Sequence, residues 1–147
     1  MADHTTTAVV LAELSQAPLD VAAHLVAVQT SSIGAVASFI GTVRDHSPDA
    51  AGEVVTLEYS AHPDAAAALA AIASRVAADF DGVRVAVSHR VGTLEVGDIA
   101  IVAAVADAHR GAAFDACRAL VEAVKAELPV WKKQVLADGS HTWVGSA

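Results

Sequence analysis

The chain has 147 residues, 54% of them hydrophobic, a formal net charge of −8, one cysteine and six aromatic residues (two Trp, one Tyr, three Phe). That length suits a single compact domain over 1–147, and a lone Cys117 excludes both an internal disulfide scaffold and a zinc thiolate cluster. Nine Lys and Arg against seventeen Asp and Glu are too few to neutralise a polyanion, so no nucleic acid is expected as partner. The start MADHTTTAVV lacks the basic and apolar regions of a signal peptide, and no 18-residue stretch is free of charged or strongly polar residues. A cytoplasmic protein with no membrane segment is the expectation.

A weakly alternating run over 7–13 predicts a first strand, and PLDVAAHLVAVQ (18–29) a short helix with Asp20 in its first turn, where a carboxylate suits the helix dipole. IGAVASFIGTV (33–43) is β-branched and aromatic enough for a strand; the polar DHSPDAAG loop leads to another, EVVTLEYS (53–60). Beyond His62-Pro63, Leu69, Ile72, Val76 and Phe80 recur at helical spacing until Asp81-Gly82 ends the run. VRVAVSHR (83–90) alternates like a half-buried strand, VGTLEVGD reads as turn chemistry, and IAIVAAVA (99–106) is apolar throughout, as a central strand would be. A second long helix is expected from Gly111, with Phe114, Cys117, Val121, Val124 and Leu128 inward, until Pro129 stops it. PVWKKQVLAD and SHTWVG then form a closing hairpin around Asp138-Gly139. The order β-α-β-β-α-β-β-α-β-β is an α+β pattern: a mostly antiparallel sheet covered by two long helices, with a short helix in addition.

All three lysines, Lys125, Lys132 and Lys133, lie within nine residues of one another. Lys125 follows Val121 by four and Cys117 by eight, on the rim of the apolar stripe. Partial burial there would lower its pKa and make it a nucleophile or general base; a snorkelling stem over apolar surface is the other reading. Pro129 turns the chain so that Lys132 can point back toward Lys125, while Trp131, read as a core residue, and Lys133 face the other way. Asp107-Ala108-His109-Arg110 falls between the apolar strand and the helix start, where an anion is favoured: Arg110 could clamp a phosphate and His109 shuttle a proton, or His109 could simply cap the helix or sit in the core. Arg44 is either a second phosphate ligand or an ordinary exposed arginine. His4, His24, His46, His62 and His141 show no metal-ligand spacing, no HExxH occurs, and no metal is expected. Cys117 reads as a small core residue. GxGxxG, GxxxxGK[ST] and GxSxG are absent, which leaves a dinucleotide site, a P-loop and a serine nucleophile elbow without support.

The blocks FIGTVR (39–44), LEY (57–59), HRVGTLEVGD (89–98), AHRGAAF (108–114) and KAELPVWKK (125–133), with Trp143 after them, resemble the large, catalytic subunit of molybdopterin synthase. They stand in that family's order over residues 33–144, about three quarters of the chain. The resemblance implies an α/β hammerhead-like fold and conversion of cyclic pyranopterin monophosphate to molybdopterin by addition of two sulfurs. The sulfur would come from the C-terminal thiocarboxylate of a small ubiquitin-like carrier ending in Gly-Gly. It further implies a central homodimer within a heterotetramer and no metal, nucleotide or other cofactor in this step.

Carried over by motif, Lys125 and Lys132 are the two catalytic lysines, one assisting proton transfer or transient covalent chemistry and the other stabilising developing charge, in either assignment. Arg44, His109, Arg110 and Lys132 are the substrate-binding residues. Two positions depart from the family pattern: Gln134 stands where an acidic residue commonly follows the lysine pair, and residues 144–147 offer no basic side chain to reach a neighbouring subunit's pocket. An anion-binding sensor and a non-catalytic subunit gripping an acidic tail are the competing readings. Both predict that Lys125→Arg is mild, because only charge would matter.

Overall fold

Two four-stranded sheets, rather than the single sheet expected, organise the chain, with strand orders β1-β4-β6-β2 and β5-β3-β7-β8. The computed structural model describes residues 8–48 and 50–145, so His4, the start of the first expected strand and the last two residues lie outside it. The elements are β1 (Val9–Ser15), α1 (Val21–Ala27), β2 (Ala35–Thr42), β3 (Val54–Ala61), α2 (Ala65–Ala78), β4 (Arg84–Arg90), β5 (Gly92–Glu95), β6 (Ile99–Asp107), α3 (Arg110–Glu127), β7 (Val130–Leu136) and β8 (His141–Gly145). Antiparallel pairs dominate; β1 beside β4 is the parallel exception.

The split follows from β5, which the turn-like VGTLEVGD concealed. Gly92 has φ +92, a left-handed backbone that residues with a side chain rarely adopt, and it bends the chain out of the first sheet immediately after β4. Gly92 and the three residues after it pair with β3 instead, Tyr59 opposite Gly92 and Leu57 opposite Leu94.

In the first sheet β6 is indeed central, between β4 and β2. α2 and α3 cover one face and α1 the other. Successive strand residues point to opposite faces: Val85, Val87, Ala103 and Val105 join the core beneath the longer helices, while Ala86, Ala104 and Ala106 join the cluster that Val28 and Leu25 complete. Coverage on both sides explains the unbroken apolar run of β6. It also corrects the half-buried reading of β4, which is buried from Val85 through Arg90. Asp20 is the N-cap of α1 rather than a first-turn residue, its carboxylate accepting from the Ala23 N–H at 3.1 Å.

Two expected core aromatics lie outside. Phe114 is 64% exposed because the buried stripe of α3 runs through Ala113, Ala116, Cys117, Leu120, Val121 and Val124 and leaves position 114 on its flank. Trp131 is 42% exposed because the inward positions of β7 are Val130, Gln134 and Leu136. Cys117 is buried, and burial pushes its thiol pKa up. Among the described residues no helix is long and apolar enough to cross a membrane, and no group of three His, Cys, Asp or Glu is placed to hold a metal.

Candidate functional site

The end of α3, the start of β7 and the segment after β2 converge on one cavity of about 370 Å³, and Lys125, Lys132 and Arg44 all line it. Each arrives by a local rule. α3 stops at Leu128, whose N–H still donates to the Val124 carbonyl while its own backbone is extended (ψ 122), as a residue before proline prefers. Pro129 then accepts from the His62 N–H at 3.0 Å, and β7 begins at the next residue, which turns Lys132 back toward the helix end. Within the second sheet Lys132 is directly opposite Tyr59, and Gln134 opposite Leu57, so these four side chains share the cavity face. Lys133 takes the outer face as expected: its ammonium lies 3.6 Å from Glu58 Oε2 and 6.0 Å from the Trp143 ring centroid.

Of the two readings of Lys125, its exposure at the cavity fits the snorkelling stem rather than partial burial. Arg44 is likewise exposed at the cavity.

His109 and Arg110 are not brought to this cavity. His109 is the N-cap of α3, exposed and without a side-chain capping bond; Asp107 Oδ2 instead accepts from its backbone N–H at 2.9 Å. Arg110 opens the helix whose last turn carries Lys125, a separation of about 22 Å at 1.5 Å rise per residue. Within one chain the two ends of α3 cannot grip one small ligand.

Tyr59, His89 and Gln134, none of them named as a site residue from the sequence, line the same cavity. Gln134 is 1% exposed, and neither its amide oxygen nor its amide nitrogen has a hydrogen-bond partner. An enclosed amide unsatisfied at both ends costs a few kcal/mol unless something fills the cavity beside it. His89 is buried and stands edge-on to Tyr59, ring centroids 5.0 Å apart at 82°. Its Nδ1 lies 2.7 Å from the Arg90 carbonyl; a carbonyl only accepts, so Nδ1 carries a proton, and in the neutral ring Nε2 keeps the lone pair. Burial lowers the His89 pKa, the Arg90 carbonyl opposes that, and the Lys125 charge adds to the lowering. Burial also raises the Tyr59 phenol. The sequence signal for all three was membership of the quoted blocks or departure from them; their chemistry comes from packing. The cavity therefore combines three cationic side chains with neutral donors and acceptors, suited to an anionic ligand with a polar ring.

A family profile described as MoaE protein matches residues 14–127. The chain is 41% identical over 133 residues to the molybdopterin synthase catalytic subunit 1 of Mycobacterium tuberculosis, covering 90% of this chain and 88% of that one. It is 35% identical over 134 residues to the molybdopterin synthase catalytic subunit of Bacillus subtilis, covering 90% and 83% respectively. Among solved structures, molybdopterin synthase from Staphylococcus aureus superposes with a TM-score of 0.84 at 30% identity, covering 91% of this chain and 96% of that one.

Proposed function

The chain belongs to the MoaE family of molybdopterin synthase catalytic subunits, and from that premise we propose that it transfers sulfur from the thiocarboxylate of a small ubiquitin-like carrier to cyclic pyranopterin monophosphate, forming the dithiolene of molybdopterin. The observation that carries this is the convergence of Lys125, Lys132 and Arg44 on one cavity that also contains the neutral polar side chains of Tyr59, His89 and Gln134. Residues 1–147 act as one catalytic unit, working in the cytoplasm without metal or nucleotide in this step. Arg44 and Lys132 hold the phosphate and offset charge that develops as the sulfur attacks. Lys125, at the exposed side, meets the incoming carrier tail and assists proton transfer or transient covalent chemistry.

His109 and Arg110 enter through a second copy of the chain. β2 is an edge strand, with Ala35 beside Asp107 at one end and Thr42, next to Arg44, at the other. A two-fold axis across that open edge reverses the partner strand and lays the second copy's Asp107–Arg110 segment beside Arg44. An apolar groove along the same edge, with Phe39, Phe114 and Val121 among its walls, and the 41% exposed Ile40 support a homodimer there. Mixing Lys125→Ala with Arg110→Ala protein should then restore activity that each variant lacks, because one mixed pocket has both residues intact.

The deciding experiment supplies purified protein with thiocarboxylated carrier and cyclic pyranopterin monophosphate and follows molybdopterin as its oxidised fluorescent derivative. Product from the wild type and little from Lys125→Ala is expected. No product from the wild type, beside an active synthase control, overturns the assignment.

A further inference from the structure

The proposed reaction leaves the buried imidazole of the cavity without a task. His89 lines it beside Tyr59 and is 2% exposed, with Nδ1 held by the Arg90 carbonyl. That bond fixes the tautomer and leaves Nε2, on the far edge of the ring, as the nitrogen able to meet an occupant of the cavity. Arg44 has no lone pair to offer a proton, and a lysine must first lose one before it can accept one. Nε2 is a base as it stands.

We propose that His89 is the general base that activates water to release the carrier from the sulfur it has delivered. The proposal rests on the sulfur-transfer reading above, and the chemistry of that reading requires such a step. A thiocarboxylate sulfur that bonds to a substrate carbon is still bonded to the acyl carbon of the carrier, so the immediate product is a thioester joining the two. Water must cleave it. The water oxygen attacks the acyl carbon, Nε2 takes one proton, and the acyl C–S bond breaks with its electron pair remaining on sulfur. The sulfur stays on the substrate as a thiolate and the carrier leaves as a carboxylate, its second proton passing to solvent. Nothing is oxidised or reduced. Lys132, directly opposite Tyr59 in the second sheet, and Arg44 line the same cavity and supply the positive charge that stabilises the oxyanion and the departing thiolate.

The titratable and charged groups that line the cavity with His89 are Tyr59 from β3, Lys125 from α3, Lys132 from β7, and Arg44 and His46 after β2. His46, the other imidazole, is exposed and 3.1 Å from its neighbour Asp45.

His89→Asn isolates the base. The asparagine amide can still donate to the Arg90 carbonyl as Nδ1 does, but nothing replaces Nε2. In single turnovers followed by mass spectrometry, formation of the carrier–substrate adduct should stay within about twofold of wild type, while adduct breakdown and steady turnover fall about a hundredfold. Breakdown by the wild type should weaken toward acid with one titrating group, and His89→Asn should lose that limb; retention of the limb assigns it to His46 and overturns the proposal. Unchanged turnover in His89→Asn overturns it too. If the variant fails to fold, the wild type decides: general-base attack by water moves a proton in the step, so adduct breakdown that proceeds at the same rate in heavy water as in ordinary water sinks the idea. A wild type that forms neither adduct nor product, beside an active control, defeats the sulfur-transfer reading itself and is thereby distinct from failure of the His89 assignment.

Discussion

Two buried histidines meet the same strand from opposite faces and have opposite fates. His24, on α1, donates from Nδ1 to the Asp20 carbonyl at 2.6 Å and accepts at Nε2 from the hydroxyl of Ser88 at 2.7 Å, so both nitrogens are used inside the fold. His89, next along β4, has the same carbonyl lock on Nδ1 but presents its other side to a cavity. A polar group closed on itself stabilises a core, whereas one left open waits for a ligand. The α1 face should therefore answer to measurements of stability and the cavity face to measurements of activity.

The cavity side gives the largest expected effect. Lys125→Arg should lower molybdopterin formation at least about a hundredfold, because a guanidinium keeps its charge but cannot exchange a proton near neutral pH. Lys125 is exposed, so the thermal midpoint and carrier binding, read by calorimetry, should stay at wild-type values. An active Lys125→Arg protein would mean that only charge matters there and would return the molecule to the anion-sensor or tail-binding readings.

How far the sequence reached follows the same division between local and assembled chemistry. Periodicity located both longer helices and the central position of β6, because an apolar stripe or run is written into consecutive residues. The Lys125–Lys132 pairing was legible for a similar reason, since a single proline joins the two elements. β5 was not, because its four residues are turn-like and only pairing with β3 makes them a strand. Phe114 and Trp131 were misplaced because hydrophobicity was weighed ahead of register. The distance of His109 and Arg110 from Lys125 was implicit in helix length, yet the motif blocks carry no statement of which copy they serve. His89 and Gln134 became candidates only when burial and partners were known.

On the closed side, Ser88→Ala should cost about 1–3 kcal/mol in denaturant unfolding, the penalty of a buried imidazole nitrogen left without a partner. Activity per folded molecule should not change. Replacing both partners, His24→Leu with Ser88→Ala, should be milder than the sum of the single changes, since no orphan then remains. A Ser88→Ala protein that keeps its stability but loses turnover would erase the contrast between the two faces.

Acid sharpens the contrast further. His89 has its pKa lowered by folding, first through burial, so between that lowered value and about 6.5 the unfolded chain binds the extra proton. Stability should be level from pH 6.5 to about 8, short of the alkaline range where the raised Cys117 thiol and Tyr59 phenol act, and decline below 6.5 by at most about 1.4 kcal/mol per pH unit. Glu127 and Asp138, whose carboxyls are held below their ordinary 4.5 and 3.8, titrate beneath that window. Urea unfolding of wild type and His89→Asn at pH 5 and pH 7 tests this: the pH 5 deficit should shrink in the variant, and an equal deficit in both proteins places the acid-sensitive group elsewhere.

The smallest effect belongs to a pair that belongs to neither histidine. Arg75 on α2 donates from both terminal nitrogens to Glu127, the final residue of α3, in a two-point contact at the solvent-exposed surface. Exposed ion pairs are screened by water and salt, so Glu127→Gln should leave the thermal midpoint where it is. Its position makes activity the more informative reading, because Lys125 lies two residues away on the same last helical turn. If α3 is fixed by its buried stripe alone, turnover is unchanged as well. A fall in turnover at constant midpoint would show that the ion pair aims the last turn of α3, making Arg75–Glu127 part of the device that presents Lys125 to the cavity.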